Sequence, residues 1–278
     1  MSDPTIYHAR ADAGRARLLA ETESPFTITI RFGDGLTDAQ RGAFAAAADR
    51  WVTVIVGDLP EVTVDGEVVD DVLIVAGGKD IDGEGKILGQ AGITHVRPAG
   101  PEPWALLPAK GIMEFDRADL ARMEAEGTLG DVITHEMGHV LGVGSLWNAK
   151  GLLVGKGTSD PSLVGAGAMA EYRKLRRGVD DTERVPVENR GGPGTRDVHW
   201  REAVFGNELM TGFVGSTPNP LSRLTVANLG DMGYQVDVDA ADDYELPTVV
   251  TVAGTPKHDD AAVLRATPVE LPRDALTA

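Results

Sequence analysis

The chain has no cysteine in its 278 residues. That excludes disulfide scaffolds, thiolate metal sites, cysteine nucleophiles and any thiol that could hold a metal centre latent. It leaves the redox compartment open, because a reducing cytoplasm and many exported bacterial proteins share this composition. Basic residues are outnumbered, 26 Lys and Arg against 43 Asp and Glu, for a formal net charge of −17. The expectation is no nucleic acid and no anionic membrane among the partners. Long apolar runs are missing too. Nothing approaches transmembrane length, and Met1–Arg10 lacks the apolar core of a secretory signal, so the sequence reads as soluble. Aromatic residues make up only 5 %, yet a 42 % hydrophobic content suffices for one large domain or two lobes sharing a cleft.

Histidine is scarce as well, with six in the chain, and two of the six fall in His135-Glu136-Met137-Gly138-His139-Val140-Leu141-Gly142. On a helix, side chains four residues apart share a face, so His135 and His139 can grip one zinc ion while Glu136 stands beside it as a base. Chance supplies such a match on the order of once in a hundred chains with this few histidines. Val132, Ile133, Met137, Val140 and Leu141 surround it with the apolar pattern of a buried helix. A catalytic zinc takes three protein ligands and keeps a fourth position for water. The position three residues after Gly142 is Ser145, so a short-spaced third histidine is absent. His8 and His258 lie in polar end segments, leaving His95 and His199. His199 is favoured, because Met210 follows it within a short stretch and a methionine on a tight turn forms the floor under the imidazoles in metzincins. His95, in Gly92–Arg97, reads as a strand residue.

These residues resemble the leishmanolysin family of zinc metalloendopeptidases in the metzincin clan, in particular its bacterial leishmanolysin-like members. The His-Glu-x-x-His-x-x-Gly helix, a long insertion, His199-Trp200 and Glu208-Leu209-Met210 carry the resemblance, which runs from about Phe26 to Tyr234. It implies His135, His139 and His199 as zinc ligands, Glu136 as catalytic base and Met210 as the Met-turn residue. It implies an α+β, bilobal fold: a mixed twisted sheet with a backing helix and the active-site helix in the upper lobe, and an irregular, partly helical lower lobe. The activity implied is hydrolysis of peptide bonds by Glu-assisted attack of zinc-bound water, on protein or peptide substrates. Secretion is implied too, by a route not visible in the sequence, with the cytoplasm as the alternative. The cysteines, disulfides and membrane anchor of parasite leishmanolysins are not carried over.

The expected division is an N-terminal extension (1–25), an upper lobe (26–144), a lower lobe (145–236) and an acidic C-terminal extension (237–278). Phe26–Phe32 alternates as a strand, and Thr37-Asp38-Ala39-Gln40 is a capping box opening a helix with Phe44, Ala47, Ala48, Trp51, Val52 and Ile55 inward. Further strands are expected at Glu67–Ala76, Gly111–Phe115 and, more weakly, Ile87–Val96. Helices are expected at Arg117–Glu126, at Ala168–Arg176 and at Ser222–Leu229, and a tail strand at Thr248–Val252. Gly142 and Gly144 should end the zinc helix. The Gly/Pro-rich stretch 190–197 should form the loop that delivers His199.

Asp80-Ile81-Asp82-Gly83-Glu84-Gly85-Lys86-Ile87 resembles the first half of an EF-hand loop. Ala91 stands where a bidentate glutamate is needed, so a plain glycine turn is the preferred reading and calcium the minor one. Three rivals to the peptidase remain: a zinc hydrolase of a non-peptide substrate, a noncatalytic zinc-binding module, and a latent precursor whose residues 1–25 fill the cleft. Oligomeric state and substrate preference are not legible.

Overall fold

In the computed structural model, which describes residues 5–85, 88–177, 183–192, 194–212, 218–248, 262–263 and 267–277, the amino-terminal segment is built into the main sheet. Strand β1 (Ile6–Arg10) pairs antiparallel with β2 (Thr27–Phe32), and helix α1 (Ala13–Ala20) joins them. The expected extension over residues 1–25 is thus, from Ile6 on, an edge strand and a helix rather than a separate appendage. Its edge strand is committed to β2 along its whole length.

Alternation along β2 puts Phe26, Ile28, Ile30 and Phe32 into the core. Helix α2 (Asp38–Val54) begins at Thr37, whose hydroxyl accepts from the Gln40 amide while the Gln40 side chain accepts from the Thr37 amide. This capping box satisfies two amides the helix cannot. Phe44, Ala47, Ala48, Trp51 and Val52 line its buried face. β3 (Val62–Val64) and β4 (Glu67–Val69) form a hairpin across Asp65-Gly66, both with positive φ, the conformation a two-residue hairpin turn needs.

The single strand expected over Glu67–Ala76 is two, β4 and β5 (Val72–Lys79), broken at Asp70-Asp71. The cause is the Asp71 carboxylate, which turns inward to accept from the Thr27 and Leu59 amides. Buried Arg97 donates to the main-chain oxygens of Pro60, Asp70, Asp71 and Pro108, fixing the same corner. β6 (Gly89–Val96) and β7 (Pro108–Asp116) complete the sheet centre, and the order is β1-β2-β5-β7-β6. β2, β5 and β7 run parallel, with β1 antiparallel to β2 and β6 antiparallel to β7.

Helix α3 (Arg117–Glu126) follows β7 directly, and α4 (Leu129–Val140) carries the His-Glu-Met-Gly-His sequence. α4 ends where expected: Gly142 and Gly144 have φ of 108° and 74°, the left-handed region that glycine enters without a Cβ clash. Val132, Ile133, Met137, Val140 and Leu141 are all buried. α2 is tied to α4 by the Trp51 indole, which donates to the Thr134 carbonyl at 2.9 Å.

Beyond α4, β8 (Leu153–Val154), β9 (Ser162–Leu163) and β10 (Val185–Pro186) make a small antiparallel sheet. Helices α5 (Ala166–Leu175), α6 (Glu202–Phe205) and α7 (Arg223–Met232) complete this part. Ser222 caps α7 by accepting from the Thr225 amide, and Gly233 closes it in a left-handed conformation. Past Asp237 the chain returns to the sheet: β11 (Ala262–Val263) and β12 (Val269–Glu270) both pair parallel with β6, and Leu271 is buried. The C-terminal segment is therefore part of the sheet as well; residues 249–252 of the expected tail strand lie outside the described ones.

The 80–85 segment is a turn organised by a carboxylate. The amides of Ile81, Asp82 and Gly83 all donate to Asp116 Oδ2, and Asp80 and Glu84 lie 3.6 and 3.8 Å from Arg117 and Arg122. The backbone of this turn thus offers donors to an acid. Lys86 and Ile87 lie outside the described residues.

Candidate metal centre

The helical spacing of α4 brings the His135 and His139 Nε2 atoms to 3.1 Å. His199, sixty residues beyond His139, arrives on a loop held by main-chain bonds. The Glu188 amide donates to the His199 carbonyl, the Asp197 amide to the Glu188 carbonyl, and the Trp200 amide to the Met210 carbonyl. Its Nε2 lies 3.1 Å from that of His135 and 2.9 Å from that of His139. His95 is elsewhere, on β6, with Nδ1 3.1 Å from Thr94 Oγ1 and Nε2 facing Asp65 at 3.9 Å. Of the two candidates for third ligand, His199 is the one that joins the pair.

Each of the three rings donates its Nδ1–H to a main-chain oxygen: His135 to Leu209 at 2.6 Å, His139 to Val143 at 2.8 Å, His199 to Thr195 at 2.9 Å. A carbonyl can only accept, so all three are Nδ1–H tautomers in the neutral state and their Nε2 lone pairs converge. Burial pulls the His135 pKa from 6.5 to about 4 and that of His199 to about 3, and it holds His139 well below its ordinary value. Three unprotonated acceptors about 3 Å apart repel unless a cation lies between them.

The set fits zinc. With Zn–N bonds of about 2.0–2.1 Å, the observed separations correspond to N–Zn–N angles of roughly 90–100°, as three ligands of one four-coordinate ion would require. The donor chemistry agrees, since neutral imidazole is a common zinc ligand. Among the described residues one other set of possible metal-binding groups converges, the carboxylates of Asp58, Asp70 and Asp71. That group sits beside the buried Arg97 guanidinium, which already supplies positive charge there.

Glu136, next to His135 on α4, is buried with the triad, 6 % exposed. Met210 is fully buried, and its side chain packs against the backbone of Gly138 between the two helical histidines. A Cβ placed on Gly138 would lie 2.7 Å from Met210 Sδ and 2.9 Å from Trp51 Cζ2. Glycine is needed because only a helix face without a side chain lets the methionine and the indole approach together.

Sequence reasoning missed Glu208. It is fully buried, and it accepts from the Met210 amide at 2.6 Å, the Ser222 amide at 3.2 Å, the Ser222 hydroxyl at 2.6 Å and the Thr225 hydroxyl. Burial raises its carboxyl pKa and these donors work against that rise. A carboxylate two residues before the methionine was a visible signal, but its partners Ser222 and Thr225 were read only as parts of a helix. The main-chain acceptors at Val143, Thr195 and Leu209 carry no side-chain signature at all.

A family model described as leishmanolysin matches residues 105–247 of the chain, the span that contains every residue of the triad. Leishmanolysin-like peptidases of Caenorhabditis elegans and Caenorhabditis briggsae are each 46 % identical over 75 residues, which is 26 % of this chain and 11 % of theirs. The matched stretch is therefore a small part of those longer relatives.

Proposed function

The chain belongs to the leishmanolysin family of metallopeptidases, with the mixed sheet and helices of a metzincin-like α+β fold, and on that premise we propose that it is a zinc-dependent endopeptidase. The observation that carries the reading is the convergence of three Nε2 atoms within 3.1 Å, each ring locked through Nδ1 to a main-chain carbonyl. His135, His139 and His199 would hold the ion. Zinc in that position supplies Lewis acidity, which makes a water nucleophilic near neutral pH and stabilises the oxyanion of the scissile carbonyl. Glu136 takes the proton from the attacking water and delivers it to the leaving amine nitrogen. Burial keeps the imidazoles neutral, so they remain ligands rather than acids. Met210 and Trp51, packed on Gly138, hold the helix that carries two of the ligands.

The test pairs zinc content with casein cleavage for the wild type and Glu136→Gln. The wild type should bind one zinc and cleave. The variant should keep the zinc and lose roughly 10²–10⁴-fold in rate, the range for general-base catalysis. Activity retained in Glu136→Gln would overturn the role of Glu136, and a zinc-loaded wild type that leaves casein intact would reject the endopeptidase reading in favour of a non-peptide substrate or a noncatalytic module.

A further inference from the structure

The three Nδ1 acceptors are not equivalent. His135 donates to the Leu209 carbonyl, and the N–H of that same peptide group, Leu209–Met210, donates to Glu208 Oε2; both bonds are 2.6 Å. The corresponding peptide after Thr195 ends on a neutral acceptor, because the Arg196 amide donates to the Gly192 carbonyl. The Val143 carbonyl is shared between His139 and the Ser145 amide. Only on the His135 branch, among the described residues, does the relay finish on a carboxyl group.

The groups around Glu208 are all placed to donate to it, against the burial that raises its pKa. The Met210 and Ser222 amides can only donate. Trp200 Nε1, which can only donate, gives its proton to Thr225 Oγ1, so the Thr225 hydroxyl proton is free to point at Glu208. The Ser222 hydroxyl accepts from the Thr225 amide and directs its own proton to Glu208. All four neighbours donate, and none of them needs a proton from Glu208. The surroundings are those of an acceptor-only carboxylate, and these four donors are all neutral.

We infer that Glu208 is the anionic end of a carboxylate–peptide–imidazole relay that raises the basicity of His135 toward the metal and offsets part of the ion's charge. Metal-bound histidines commonly donate their second nitrogen to a carboxylate, which orients the ring and strengthens it as a ligand. Here one peptide group is interposed. Hydrogen bonds in series polarise one another, so the anion at Met210 N–H makes the Leu209 oxygen a stronger acceptor, and the imidazole gains electron density in turn. Glu208 acts through another group and is thus a positioning and tuning residue.

This inference rests on the metal reading above, and the test separates the two. Zinc affinity is measured by chelator competition for the wild type and for Glu208→Gln, alongside thermal melting of both metal-free proteins. A wild type that binds no zinc defeats the metal reading itself. With zinc bound, the relay predicts that folded Glu208→Gln binds it 10- to 100-fold more weakly, the usual effect of losing such a carboxylate. An affinity within about threefold of wild type, whatever the change in melting temperature, would mean that Glu208 only braces the turn, and would overturn the relay. Because Glu208→Gln could fail to fold, a second measurement uses the unaltered metal-loaded protein. The Nδ1 proton of His135 should resonate further downfield in the NMR spectrum than those of His139 and His199, since its acceptor alone is polarised by an anion. A His135 proton at or upfield of the other two would refute the relay.

Discussion

Gly138→Ala tests how tightly helix α4 packs against the turn carrying Met210. Two opposing effects set the magnitude. Replacing glycine by alanine inside a helix gains about 1 kcal/mol from backbone entropy and propensity. Against it, the new methyl would lie 2.7 Å from Met210 Sδ, 2.9 Å from Trp51 Cζ2 and 3.0 Å from Met210 Cε, all inside van der Waals contact. The indole cannot retreat without giving up its bond to the Thr134 carbonyl. Met210 must therefore rotate or carry its turn outward, and overpacking of this kind costs about 1–3 kcal/mol. Overpacking wins, leaving a net loss of about 1 kcal/mol, which in a chain of this size lowers the melting temperature by about 2–4 °C. Differential scanning calorimetry of the metal-free protein reads it directly. The double variant Gly138→Ala/Met210→Ala supplies the internal control: the added methyl then fills part of the cavity left by methionine, so the pair should cost at least about 1 kcal/mol less than the sum of the single changes. A rise in melting temperature for Gly138→Ala, or strict additivity in the cycle, would show that the contact does not constrain the site.

His199→Ala should abolish zinc retention on dialysis, whereas His95→Ala, which alters a ring on β6 facing Asp65, should leave it intact; the reverse result would move the third ligand to the sheet. In the metal-free protein, His135 and His199 have pKa values of about 4 and about 3 against an unfolded value of 6.5. The unfolded chain therefore binds more protons below pH 6.5, and stability should fall as pH drops from there until both folded values are passed. Urea melts of chelated protein at pH 7.5 and 5 should show this decrease, and His199→Gln should shrink it; a wild-type stability that is flat or rises on acidification would contradict the burial argument. Asp116→Asn removes the charge that anchors the Ile81, Asp82 and Gly83 amides and caps α3 at Ala118. It should cost about 1–3 kcal/mol in a denaturant melt, and a change under about 0.5 kcal/mol would mean the turn is held by something else.

What was legible in the sequence was what is local. The capping box at Thr37 and Gln40, the inward face of α2 and the two histidines one turn apart all depend on residues within a few positions of one another, and each stands where its spacing puts it. The break between β4 and β5 was not legible. Its cause is Asp71 reaching Thr27 and Leu59, and no pattern within Glu67–Ala76 reports that. The strands at Ile6–Arg10 and Val269–Glu270 escaped notice for a related reason. Ile6–Arg10 fully buries only Ala9 and Val269–Glu270 buries neither residue, so neither shows a continuous apolar alternation. His199 was selected over His95 by the methionine that follows it and by family resemblance, since the fifty-nine intervening residues have no spacing rule. Glu208 shows the limit most clearly. Its sequence neighbourhood was in plain view, but its importance arises only when α7 presents the Ser222 and Thr225 hydroxyls and the turn presents the Met210 amide to one buried carboxylate.

The burial of the triad has a cost that only a bound cation offsets. Folding strips water from three imidazoles and points three lone pairs at one another across about 3 Å. A free imidazole would relieve such crowding by taking up a proton, and burial denies that escape by holding the pKa values of His135 and His199 at about 4 and about 3. Protons consequently compete poorly with a metal throughout the neutral range, whereas exposed histidines with pKa near 6.5 would be partly protonated at pH 7. The main-chain acceptors at Leu209, Val143 and Thr195 fix which nitrogen faces inward, so the metal need not select among tautomers. Preorganisation of this kind makes the metal-free state the strained one. The same physical feature, a dry pocket of neutral donors, therefore accounts both for the acid sensitivity expected without metal and for the stabilisation expected with it: saturating zinc should raise the melting temperature across the neutral and mildly acidic range, until the imidazoles themselves begin to protonate.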